Sequence, residues 1–140
     1  MDGARPKGEA MKLRAVAAVA VLVSAAVHLR LWFEGFSSLS VIGPAFMVNA
    51  VAGLVIAVLL IGWRHRIPLF LAAGFGLATF GAFLASATVG LYGVHEQWVG
   101  WPIWTSAITE VTAVAAAVAA GANERVTSVH RRPAGGADRT

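Results

Sequence analysis

Glu110 is the residue with the most chemistry to offer. It lies eight residues inside an apolar run that opens at Pro102, roughly 12 Å along a helix. A carboxyl at that depth costs about 3 kcal/mol on insertion scales, so it normally faces the inside of a helix bundle and marks a function. It can hold a proton, attract a cation, or bond to polar groups of neighbouring helices. His28 could donate to it or share its proton. His28 lies roughly 8 Å inside the far end of the first apolar run, and Asn49 roughly 9 Å inside the second. Ser86 lies roughly 9 Å inside the third. Each run thus supplies one polar group to the same layer. Glu110, His28, Asn49 and Ser86 form one candidate intramembrane polar site, with Glu110 as its proton site.

Other chemistry finds no support. The chain has no cysteine, which removes disulfides, thiolate metal sites and dithiol redox reactions. Its only aspartates, Asp2 and Asp138, lie in the tails, so no Ser-His-Asp arrangement is credible. No His and carboxylate spacing suits zinc, and no glycine-rich loop suits a phosphate. His95-Glu96 is an adjacent pair in a loop, read as solvated. His65, His95 and His130 fall outside the apolar runs, so a second haem ligand for His28 is missing. The expectation is no catalytic residue, no metal and no cofactor.

These residues need elements to carry them. Of 140 residues, 58% are hydrophobic and 13% charged, against about 45–50% and about 25% in soluble domains. The apolar residues gather into four runs, near 15–33, 43–62, 68–92 and 102–121, each long enough for a bilayer, which takes about 20 residues as a helix. Pro44, Pro68 and Pro102 each fall in the first turn of a proposed helix, where a missing N–H costs nothing. The first run also has a rival reading as a cleaved signal peptide, disfavoured because it continues through Leu29, Leu31, Trp32 and Phe33. Residues 1–14 read as a basic tail and 122–140 as a second polar tail, both disordered. Met11 also resembles a translation start.

Charge gives the orientation. Four basic residues lie in the first tail, Arg64 and Arg66 in the middle turn, and four arginines in the last tail, leaving Arg30 alone on the other side. Cytoplasmic segments carry such an excess, so both termini are expected in the cytoplasm. The net charge of +4 is therefore read as anchoring charge, not as a nucleic-acid surface. Arg30 and Glu34, four apart, could pair on one helix face. Trp32, Phe33, Phe36, Tyr92, Trp98, Trp101 and Trp104 crowd the outer ends as an interfacial belt. The fold expected is all-α, an antiparallel four-helix transmembrane bundle.

Small residues suggest how the helices meet. Gly74, Ala78, Ala82, Ser86 and Gly90 recur every four residues in the third run, and Asn49, Gly53 and Ala57 in the second. Such rows let helix backbones approach closely. The face could meet a sister helix or a second copy of the chain.

The stretches His28-Leu-Arg-Leu-Trp32, Val41-Ile-Gly-Pro-Ala-Phe46 and Asn49-Ala-Val-Ala-Gly53 resemble small four-span integral membrane proteins of actinobacteria. More distantly, in layout only, the chain resembles DoxX-like four-span proteins. The resemblance implies a multi-pass protein of a bacterial plasma membrane and carries no functional residue with it. Two functions stay open. One is a structural or accessory membrane component, assembling with itself or a larger complex. The other is a proton-linked small transporter or channel-like protein using Glu110, its substrate unknown.

Overall fold

Glycine and proline divide the chain into helices. The first helix, α1 (Arg5–Phe33), stops before Gly35, whose φ of 128° suits a residue without a Cβ. A single 3-10 turn, Phe36–Ser38, follows, and the Ser38 hydroxyl donates to the Gly35 carbonyl at 2.8 Å. Helices α2 (Ile42–Gly62), α3 (Ile67–Thr88) and α4 (Trp101–His130) carry Pro44, Pro68 and Pro102 in their first turns. The computed structural model describes residues 5–93, 95 and 99–130, and side chains within 8–126. Among them every regular element is helical.

Each helix is long and apolar enough to cross a membrane. The apolar stretches Gly8–Phe33, Ile42–Gly62, Ile67–Thr88 and Trp101–Val126 hold 26, 21, 22 and 26 residues. At 1.5 Å per residue they reach about 30 Å or more, the thickness of a hydrocarbon core. Their outer faces carry large aliphatic and aromatic side chains: Val48 is 67% exposed and Phe70 65%. Their inner faces are mostly alanine. Ala17, Ala18 and Ala20 of α1 meet Ala57 of α2, Ala72 of α3 and Ala113, Ala116, Ala117 and Ala120 of α4, with Val21, Leu60, Leu69 and Phe75 among them. Small side chains inside and large ones outside suit lipid, where close backbone approach holds helices together.

Helix α1 lies in the middle, against both α2 and α4. Helix α3 packs chiefly on α4 and touches α2 far less. Two glycines mark the closest approaches. A Cβ on Gly53 would stand 2.7 Å from the Ala25 Cβ of α1, and one on Gly76 would stand 2.7 Å from the Glu110 carbonyl of α4.

The helix ends differ from expectation. Residues 5–14, expected to be disordered, continue α1, and residues 122–130 continue α4. Their physical anchor is Arg14, only 2% exposed. Its Nε donates to Glu124 Oε1 at 2.7 Å, Nη2 to the His65 carbonyl at 2.7 Å, and Nη1 to the Trp63 carbonyl at 3.3 Å and more weakly to that of Leu60 at 3.5 Å. One guanidinium thereby binds the end of α2, whose last carbonyls lack helical partners, the turn that follows it, and the far part of α4. Fixing Arg14 and Glu124 fixes helix beyond the spans, because each further turn adds bonds once a helix exists. The expected tail residues 1–4 and 131–140 lie outside the described residues. The third helix ends at Thr88, short of the expected 92, because Gly90 turns the chain with φ 82°.

Candidate functional site

Four helices bring their polar groups to one cavity of about 360 Å³. Glu110, His28, Asn49 and Ser86 all line it, together with Thr79 and Ser106. The remaining wall is apolar: Phe46, Phe75, Phe83, Ala52, Ile103 and Leu91 among others. The sparse packing of α2 on α3 leaves this space.

Glu110 is 2% exposed. The Ser24 hydroxyl of α1 donates to its Oε1 at 3.3 Å. Thr79 of α3 stands beside the same carboxyl. Its single hydrogen, however, goes to the Phe75 carbonyl at 2.7 Å, and a hydroxyl has only one to give. Glu110 Oε2 is left buried with no hydrogen-bond partner. A buried carboxyl oxygen without a partner costs about 1–3 kcal/mol, more if it is charged, so it calls for a proton or a cation.

His28 hydrogen-bonds through Nδ1 to the Ser24 carbonyl, one turn earlier on α1, at 2.8 Å. A carbonyl only accepts, so Nδ1 carries the hydrogen, and a neutral ring then keeps its lone pair on Nε2. The Phe46 ring meets it edge-on, at 5.1 Å between centroids. Asn49 is half-buried, and its Oδ1 also lacks a partner. Ser86 is 5% exposed at the wall.

The packing row is divided by the structure. Gly53 sits at the α1–α2 contact. Gly74 has nothing within 4 Å of an added Cβ, and Ala78 and Ala82 are exposed, both at the cavity rim. Gly90 lies beyond α3, where an added Cβ would stand 2.5 Å from the His95 ring. Gly74, Ala78 and Ala82 of the row therefore stay uncovered, whereas Ser86 is buried. Helix α3 turns Ala72, Phe75 and Gly76 inward instead, because α4 approaches closest at Gly76.

Sequence reasoning missed Gly76, Ser24 as the donor to Glu110, and the Arg14–Glu124 pair. Ser24 carried a signal, since it lies four residues before His28 on the same face. Arg30 and Glu34 do pair, at 2.7 Å on the exposed surface, and the Arg30 guanidinium stands 4.7 Å from the Trp101 ring. Among the described residues no three His, Asp or Glu side chains gather where a metal could sit. Of the expected outer loop, Glu96 and Trp98 lie outside the described residues. No protein-family model matches the chain, and no curated protein or solved structure matches it either.

Proposed function

We propose that this chain is an antiparallel four-helix transmembrane protein that binds a small solute at the Glu110 cavity in exchange for a proton, acting as a transporter or channel-like protein. The observation that carries the reading is the Glu110 Oε2 atom, buried without a donor at the wall of an apolar cavity. A carboxyl has two oxygens with which it can join helices. This one uses Oε1 toward α1 and leaves Oε2 over. Among the described residues His28 is the other titratable side chain at the cavity, and α2 and α3 contribute the polar side chains of Asn49, Thr79 and Ser86. The reading assigns no catalytic step. The charge bias of the loops supports cytoplasmic termini, and the likeness to actinobacterial four-span proteins supports a bacterial plasma membrane.

The test compares wild type with Glu110→Gln. The infrared carboxyl stretch present in wild type and absent from the variant should change with pH. In vesicles, solute uptake driven by a pH gradient should be lost in the variant. If that band never changes and neither protein moves solute, Glu110 is a structural link between helices.

A second reading rests on Gly74, Ala78 and Ala82, which no helix of this chain covers. They suit lateral assembly with another copy or a larger membrane complex. Co-purification in mild detergent, lost on Gly74→Leu and Ala82→Leu with the fold intact, would favour it. Association unchanged by both would remove it.

A further inference from the structure

The cavity has a side opening. Helices α2 and α3 are joined by the short turn 63–66 but pack on each other far less than α1 on α2 or α3 on α4. Ala45 and Val48 of α2 and Ala78 and Ala82 of α3 line the cavity and are also exposed. They form a mouth between the two helices, on a face whose neighbours, such as Leu77 and Val51, are exposed and apolar. In a bilayer that mouth faces hydrocarbon rather than water. The small side chains of Ala78 and Ala82 give the row on α3 a use that needs no partner helix: they keep the mouth open.

Among the described residues, the fully buried polar atoms left without a partner at the cavity are acceptors. Glu110 Oε2 and Asn49 Oδ1 are acceptors without a donor. His28, with its Nδ1 hydrogen spent on Ser24, offers a lone pair at Nε2 when neutral. An occupant that completes these buried acceptors must donate to them, and a carboxylate rewards a donor that is also positively charged. Phe46, Phe75 and Phe83 at the wall suit a cation and an apolar body alike. The volume lies within the range of about 300–1,000 Å³ common for small-molecule sites.

We propose that the cavity takes a lipophilic amine in its ammonium form, arriving from the bilayer between α2 and α3, with its N–H groups on Glu110 and its tail toward the mouth. This rests on the proton-exchange reading above and names the class of solute. The exchange balances: a protonated Glu110 gives its proton to water, and the ammonium, which keeps all its own hydrogens, becomes the counter-charge of the carboxylate. Acid therefore opposes binding.

The test uses the full chain in bilayer nanodiscs, with empty nanodiscs as the blank, titrated calorimetrically with n-octylammonium, n-octanol and octanoate. Saturable binding of n-octylammonium is expected, at least about tenfold tighter than n-octanol, as a charge-assisted bond predicts. About one proton should be released per amine, measured by repeating the titration in buffers of different ionisation enthalpy, and octanoate should not bind. Glu110→Gln should lose about tenfold or more in affinity for n-octylammonium. Ala78→Leu, which narrows the mouth and leaves the Ser24–Glu110 bond alone, should weaken the amine while the Glu110 infrared band titrates as before; it serves if the glutamine variant does not fold. Equal binding of n-octanol and n-octylammonium, or unchanged n-octylammonium binding in the folded variants, overturns the proposal. If n-octylammonium fails while the carboxyl band still titrates, the amine class falls and proton exchange at Glu110 stands. If the band does not titrate either, both fall.

Discussion

Arg14 and Glu110 are both buried, and they are completed in different ways. Every nitrogen of the Arg14 guanidinium has an oxygen partner, and its charge meets Glu124. Removing it strands a carboxylate and the carbonyls at the end of α2. Arg14→Ala should therefore lower stability by about 2–4 kcal/mol, read from denaturant unfolding followed by circular dichroism. Arg14→Lys keeps the charge but not the planar fork, and should fall between the two. An unchanged unfolding midpoint for Arg14→Ala would mean the network contributes nothing. Ser24→Ala should cost about 1 kcal/mol, one buried hydrogen bond. Glu110 was legible from sequence because carboxyls inside apolar runs are rare. Arg14 was not, because it stands one residue outside its run among other basic residues, where anchoring charge is the ordinary explanation. Nothing in the order of residues announces that Glu124, at a separation of 110, will reach it.

At the scale of the helix, periodicity gives a face but not what the face meets. The row on α3 is real as a spacing, yet Gly74 touches nothing while Gly76, two residues on, touches the α4 backbone. The difference is one of rotation about the helix axis, set by neighbours that spacing alone cannot supply. It makes a paired prediction. Gly76→Ala places a methyl 2.7 Å from the Glu110 carbonyl and should lower stability by about 1–3 kcal/mol as α3 and α4 are pushed apart. Gly74→Ala adds a methyl in open space and should be neutral or stabilising by up to about 1 kcal/mol, since alanine is the better helix former. Thermal unfolding of the two variants side by side decides it; equal losses would place the α3–α4 contact elsewhere. Proline positions, by contrast, were legible as helix starts, because the cost of proline depends on local geometry alone.

For the whole molecule, the four apolar lengths were enough to expect four membrane-crossing helices, since bilayer thickness sets the requirement from outside the chain. The cavity was not legible. It exists because α2 and α3 pack sparsely on each other, a property of packing that no single helix contains. The proposed orientation is checked on this cysteine-free chain by single cysteines at Ser38 and Val99, which an impermeant thiol reagent should label from outside the cell; labelling only after the membrane is opened would invert the topology. Arg14 also has a consequence for the order of assembly during translation. The carbonyls of Leu60, Trp63 and His65 become available once α2 and its following turn are made, so the guanidinium finds its first acceptors while the nascent chain is half built. Glu124 comes last, in the far part of α4. Until α4 is made, the guanidinium of the α1–α2 hairpin lacks its carboxylate.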